Sequence, residues 1–462
     1  MITGHFVEAF EPVADGVVRV VQSYRDYMKR ELGPSWVVAP HHPRVPAGES
    51  RVLRYGLRPS VAPYRLERGI EPRVRARLAS VPWDLVHAHS PFSAGQLAVE
   101  AARLRGVPVL FSLHTRYAEW ARAKYRATPR WAGIVGADAW LQSVTTDRLR
   151  AIDLVRATPE GEAFVMRAVK RRVWRYAAST ACVIVPTHAE REELLSFAAI
   201  AGGKQSVRVE VIRPGIRAFQ PLAADFDVRA RHALPNLPLL LYVGRLADEK
   251  GLPFLLAAIA ERRARNFPFR LVIVGEGPRR AHYESLARRL GVAERCVFVG
   301  PISNVDELGV YYRAASLLLL PSAVETRASV VMEAASVGLC TLALRGAPAV
   351  AELIQDGDTG FLAEPDVTAF ATRLTAVLRD SALRRSVGER AYRLLRSCEA
   401  AAADVVALYR DVCGEALSRS IAPASELLPP MSHSVPPMSG TFPSQAQPMP
   451  DWNAPSVLVR RA

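Results

Sequence analysis

Two carboxylates, Glu325 and Glu333, punctuate the stretch PSAVETRASVVMEAASVG (321–338), directly after the apolar run SLLLL (316–320). The run reads as a buried strand ending at its carboxyl edge, and SVVMEAASVG as the helix that follows. Ligands of open α/β sheets collect at such turns, where acidic side chains accept hydrogen bonds from vicinal hydroxyls. One carboxylate could hold a ribose and the other a sugar hydroxyl. The same spacing equally fits one helix-terminal charge and one half-buried glutamate.

A second stretch weighs on that choice. In YVGRLADEKG (242–251) a strand runs into a turn at Gly244, followed by Arg245, with Lys250 opening the next helix. Two cations at a strand's carboxyl edge beside a helix N-terminus suit an anion, and a diphosphate in particular. A solvated loop with Asp248–Lys250 or Glu249–Arg245 pairing fits as well. VIVGEGPRR (272–280) supplies Gly275 and Gly277, but Arg280 breaks a GxGxxG fingerprint, so it reads as a tight turn that leaves backbone N–H groups near a ligand.

The first half offers Gly16, which opens a helix after the loop EPVADGV (11–17), where bare backbone can approach a phosphate. DLVHAHSPFSAG (84–95) and LFSLHTRYAEW (110–120) each end a strand on histidine. His87 reads as core packing, and His114, followed by Thr115, as the site candidate. No Cys, Asp or third His is spaced to complete a zinc site with them, so no metal is expected. DFD (225–227) and DGD (356–358) read as loop acids. The absence of GxSxG, Walker and HExxH patterns argues against common hydrolases and nucleoside triphosphatases.

These residues need strands and helices to hold them. Strands are expected at 2–7, 36–39, 85–89, 107–114 and 182–186. A second series follows at 239–244, 269–275, 296–300, 316–320 and 340–344. Helical stretches such as 16–32 and 93–106 lie between them, and such alternation implies parallel βαβ units. The chain therefore reads as α/β with two doubly wound, Rossmann-like domains. The first spans 1–216 and the second 217–380. Helices at 381–420 follow, with 381–418 reading as one long helical stretch. The final segment, 421–462, holds nine prolines and reads as a disordered tail. Residues 127–163 read as an insertion in the first domain.

Charge is unevenly spread. Of the net +15, residues 1–216 carry +12 and residues 217–462 only +3, which points the first half towards an anionic partner. Five scattered cysteines form no CxxC pair and read as reduced thiols. No apolar run approaches the ~18 residues needed to span a bilayer, and the N-terminus lacks signal-peptide features. The expectation is a cytoplasmic protein.

Together, the GR…K pattern at 244–250, GEGP at 275–278 and the paired acids at 325 and 333 resemble retaining glycosyltransferases of the GT-B fold, family four. The resemblance runs to about residue 415. It implies an acceptor-side domain at 1–216 and a nucleotide-sugar-binding domain at 217–380 facing each other across a cleft, with Arg245 and Lys250 on the donor diphosphate and Glu333 on the ribose. It places Glu325 on the transferred sugar, His114 near the reacting carbon and Gly16 in the first loop. The 381–418 helical stretch would return to the first domain.

HSPFSAG followed by LHTRYAEW looks like the bacterial branch that glucosylates diacylglycerol, with phosphatidylinositol mannosyl transfer a near relative. The resemblance thus implies hexose transfer, from UDP-glucose by preference or GDP-mannose, to a lipid hydroxyl with retention of configuration. The nucleotide sugar is a co-substrate, and no cofactor and no nucleic-acid partner are expected. Such enzymes dock peripherally on an anionic membrane, here the cytoplasmic face. The basic stretch FVMRAVKRRVWRYAAS (164–179), with Val165, Val169 and Val173 at i, i+4 spacing, fits either that surface or a core-packed helix. Soluble or polysaccharide acceptors are the alternative. ETRA at 325–328 departs from the family's ETFG, and Arg345-Gly346-Ala347 from its paired glycines. These departures suggest altered donor choice or a weakened nucleotide- or membrane-binding relative.

Overall fold

The structure is a computed structural model. It describes residues 1–11, 16–42, 45, 50–56, 72–127, 158–202, 206–222, 226–261, 266–322, 325 and 328–418. The proline-rich tail, most of the 127–163 segment, and Thr326 and Arg327 lie outside the described residues.

Two all-parallel sheets organise the chain. The first contains β1 (Thr3–Phe6), β2 (Ser35–Pro40), β3 (Val52–Tyr55), β4 (Leu85–Ala88), β5 (Val109–Ser112), β6 (Cys182–Val185) and β7 (Val209–Val211), in the order β3-β2-β1-β4-β5-β6-β7. The second contains β8 (Leu239–Val243), β9 (Arg270–Val274), β10 (Cys296–Gly300), β11 (Leu317–Leu320), β12 (Thr341–Leu344) and β13 (Phe361–Ala363), in the order β10-β9-β8-β11-β12-β13. Both orders reverse beside the first strand of their series, the switch point at which α/β sheets open a crevice. Buried on both faces, the central strands carry continuous apolar runs such as LLLYV and LLLL. The architecture is two Rossmann-like domains. β3 (VLRY) and β7 (VEV) escape the sequence pattern because a charged residue interrupts each, and β13 (FLA) because it is only three residues long.

The 381–418 stretch is two helices, not one. Ser381–Arg393 packs on the second sheet, with Val387 in its core and Gly388 so close to Gly338 that a Cβ would sit 1.9 Å from its carbonyl. Cys398–Ser418 packs on the first sheet, where Val405, Val406 and Tyr409 join Leu85, Leu110 and Ile184. The break at 394–397 passes beside the other inter-domain segment. Ile216 N donates to Arg396 O at 2.9 Å and Cys398 N to Ile216 O at 3.3 Å, with Gly215 pressed against Ser397. The two crossings thus form one hydrogen-bonded strap. Elsewhere Glu352 of the second domain accepts from His188 N (3.2 Å) and Ala189 N (2.8 Å), capping helix His188–Ala201 of the first.

The stretch 164–179 lies within helix Pro159–Ala178, and Val165, Val169 and Val173 are buried in the first domain's core. Its cations fold back on neighbours: Lys170 lies over Phe197, Arg172 over Phe92, and Arg171 Nε donates to Ile200 O. The valine stripe therefore faces the core and not a membrane. Among the described residues, no helix is long and apolar enough to cross a membrane.

The GEGP turn supports the neighbouring loop, and the amides of its two glycines are engaged. Gly275 N donates to Gly300 O at 2.8 Å and Gly277 N to the Glu276 carboxylate at 3.0 Å. Gly275 has φ +140°, and a Cβ there would lie 1.9 Å from Gly244 O; one on Gly277 would lie 2.3 Å from Leu246 O. Glycine is needed here because two backbones touch. Gly275→Ala should lower unfolding stability by roughly 2 kcal/mol or more, adding a backbone clash to left-handed strain. Gly357 has φ +80° in open space, so Gly357→Ala isolates the strain alone and should cost about half as much. Denaturant midpoints for the two variants test this; equal losses would remove the close approach as the cause.

Candidate active site

A cavity of about 1170 Å³ lies between the carboxyl edges of the two sheets. Gly16, His114, Arg245, Lys250, Glu325 and Glu333 all line it, so six of the seven residues singled out in the sequence converge. Gly244 does not. It sits behind the wall, donating to Val274 O at 3.0 Å and carrying the carbonyl against which Gly275 packs. Its part is to shape the turn that presents Arg245.

From the first domain, Gly16 opens helix Gly16–Glu31 into unfilled space, since a Cβ there would meet nothing within 4 Å. From the second, Lys250 ends a single 3-10 turn, Asp248–Lys250, ahead of helix Leu252–Ala260 and not within it. Gly251, at φ +70° and against Pro321 O, ends that turn and ties it to the strand leading to Glu325. Lys250 Nζ and Glu325 Oε1 are 2.7 Å apart, while Arg245 pairs with Glu249. The Asp248–Lys250 pairing is not formed; Asp248 instead binds Arg279 at 2.8 Å and accepts from Tyr283.

Glu333 is the more deeply set carboxylate, its side chain 9% exposed. Tyr312 Oη donates to Oε2 at 2.7 Å, and Arg19 Nη1 approaches Oε1 at 3.5 Å from the opposite domain. Burial and the adjacent Glu333 charge hold the Tyr312 hydroxyl well above its ordinary pKa, so it stays a donor. Sequence reasoning missed both partners. Arg19 carried a signal, lying one turn inside the helix that Gly16 opens; Tyr312, in the run YYRAA, carried none.

Four histidines gather at the first sheet's edge. His5, His87 and His89 bring ring nitrogens within 4.8 Å of one another. The expectation that no third histidine was placed beside His87 and His89 is therefore corrected, because β1 and β4 pair His5 directly with His87. Every ring nitrogen of these three but His5 Nε2 is bonded: His87 to Tyr409 Oη (2.6 Å) and Ser112 Oγ (2.7 Å), His5 to His89 (3.0 Å), His89 to His114 (2.8 Å). His87 is a fully buried structural residue. Of the DxD acids, Asp225 lies outside the described residues and the other three are engaged. Asp227 caps a short helix, Asp356 pairs with Arg345 and Arg373, and Asp358 with Arg390.

Ala328 lines the cavity at φ +42°, ψ +46°, fully buried at the start of helix Ser329–Ala335. A left-handed alanine is strained by its Cβ. Ala328→Gly should raise stability by up to about 1 kcal/mol, relief of strain outweighing glycine's extra unfolded-state entropy. A lower denaturation midpoint would contradict this.

Comparisons with known proteins give the geometry its context. Residues 14–218 match the model described as Glycosyltransferase Family 4, and residues 225–394 that described as Glycosyl transferases group 1. Sulfoquinovosyl transferase SQD2 of Arabidopsis thaliana is 27% identical over 80% of this chain, an alignment spanning 65% of that protein, just under two thirds of its length. D-inositol 3-phosphate glycosyltransferase of Kineococcus radiotolerans is 30% identical over 69% of this chain and 68% of its own length. A GDP-mannose-dependent phosphatidylinositol monomannoside mannosyltransferase of Mycolicibacterium smegmatis is 32% identical over 46% of this chain and 58% of its own. Sucrose-phosphate synthase from Thermosynechococcus elongatus shares the fold, with a TM-score of 0.64 at 22% identity over 90% of this chain and 99% of that one. With both halves matched and the two-sheet architecture in place, the chain belongs to the GT-B glycosyltransferases of group 1 and family four.

Proposed function

We propose that the protein transfers a hexose from a nucleotide sugar, UDP-glucose by preference and GDP-mannose as the second choice, to a membrane lipid hydroxyl with retention of configuration. The observation that carries this reading is the convergence of two cations and two carboxylates of the second domain opposite His114 of the first. Arg245 and Lys250 take the diphosphate and stabilise the charge that grows on it as the glycosidic bond breaks. Glu333, set by Tyr312, holds the ribose, and Glu325 the hydroxyls of the sugar. Lys250 and Glu325 also bond to each other at 2.7 Å, so donor binding exchanges that ion pair for two ligand contacts. The departing phosphate takes the acceptor's proton, and the cleft excludes water from the reacting carbon. The roles of the individual residues follow from the resemblance and the shared cavity.

The lipid acceptor and peripheral docking on an anionic cytoplasmic membrane face draw support from the mycobacterial relative's acceptor and from the +12 of residues 1–216. A soluble, phosphorylated acceptor is the second reading, favoured by the Kineococcus relative, which is named for D-inositol 3-phosphate.

Calorimetry against UDP-glucose, GDP-mannose, UDP and GDP tests the donor. One nucleotide sugar should bind, and Glu333→Ala should weaken it about tenfold or more, the worth of a hydrogen bond to a charged group. Unchanged affinity in that variant would sink the ribose assignment, and no binding by any of the four would sink the donor reading. Flotation with phosphatidylglycerol-containing liposomes tests the acceptor side. Co-flotation that weakens in high salt is expected; protein that stays with the buffer favours the soluble acceptor.

A further inference from the structure

His114 does not stand alone in the cleft. It is the outer end of a chain of three imidazoles: His5 Nδ1 to His89 Nε2 at 3.0 Å, and His89 Nδ1 to His114 Nε2 at 2.8 Å. The sheet builds this chain. His5 pairs with His87 across β1 and β4, His89 follows on the same face two residues on, and β5 delivers His114 beside it. His5 is fully buried and His89 3% exposed, whereas His114 lines the cavity.

Two neutral imidazoles bond only if one gives a proton and the other takes it. The chain therefore has two concerted arrangements. In one, His5 Nδ1–H donates to His89 Nε2 and His89 Nδ1–H donates to His114 Nε2, leaving the proton of His114 on Nδ1. In the other, every proton moves to the opposite side of its bond, and His5 must carry a proton on Nε2. That atom is buried and has no hydrogen-bond partner. An orphaned buried N–H is rarer than an unfilled acceptor, so the first arrangement is preferred. Burial, with Arg25 second, drives the His5 pKa down to about 3, which keeps the inner end neutral.

We propose that His5 and His89 are positioning residues that hold His114 as the Nδ1–H tautomer, so that it meets the transferred sugar as a hydrogen-bond donor and not as a base. The tautomer rests on the histidine chain alone; its catalytic consequence rests on the donor reading above. The remaining histidine of the same face supports the assignment. His87, its ring tilted beside this chain with centroids 4.2 Å from His89, has both nitrogens occupied by Tyr409 and Ser112 and offers no competing partner.

The test is ring ¹⁵N spectroscopy of the full chain labelled at histidine, with His114 assigned through His114→Gln. The expected result is an unprotonated Nε2 and a protonated Nδ1 on His114. His5→Leu should scramble that pattern, and His5→Gln, whose amide N–H can still donate to His89, should restore it. Turnover should follow: about a tenfold loss of kcat in His5→Leu with donor KM changed less than about threefold, and recovery in His5→Gln, a split that a general packing defect would not give. Should His5→Leu fail to fold, His89→Leu, in the middle of the chain, removes the donor to His114 and should scramble the pattern in the same way. A protonated His114 Nε2, or a His114 pattern indifferent to these variants, overturns the proposal. If the unmodified protein turns over no nucleotide sugar, the donor reading fails while the spectrum still decides the tautomer.

Discussion

Cations gathered on the walls of one cleft repel each other and must be held by counter-charges, and this constraint shapes both walls. Lys250 is held by Glu325, Arg245 by Glu249, and Arg19 leans on Glu333 across the domains. Each counter-charge lies on or beside the loop that carries its cation, or on the facing wall. The loops are thereby shaped by charges of the protein itself. These pairs are partly exposed and contribute little to stability. Their effect is on arrangement, because each fixes where a long, flexible side chain points.

The backbone beneath them is less adaptable. Gly275 and Gly277 let the 275–278 turn touch the 244–246 loop, and Gly251 lets the Lys250 turn touch Pro321. Three glycines thus lock together the ends of β8, β9 and β11, the strands that aim Arg245, Lys250 and Glu325. Ala328, left-handed where the family resemblance leads one to expect glycine, is the exception. The strain it stores sits at the entry to the Glu333 helix, inside the cavity wall.

Much of this was legible in the sequence because it is local. Period-two and apolar runs marked ten of the thirteen strands, and strand ends marked Arg245, Lys250, Glu325 and His114. What stayed hidden depends on pairing between distant segments. Tyr312 and Arg19 reach Glu333 only once helices from both domains are in place. His5 meets His89 because β1 lies between β2 and β4, an order that spacing does not reveal. The i, i+4 valines at 165–173 show the converse limit. A membrane-facing stripe and a core-facing stripe have the same period, and only the packing partner separates them.

The Glu352 contact gives the inter-domain arrangement a local signature. A carboxylate of one domain serves as the N-terminal cap of a helix in the other, covering the amides of His188 and Ala189, while Thr187 covers Glu190 N within its own domain. Separation of the walls would uncover two amides of a helix and leave its third protected. Any opening of the cleft would thereby be written into the solvent exchange of two neighbouring backbone protons, with a reference next to them in the chain.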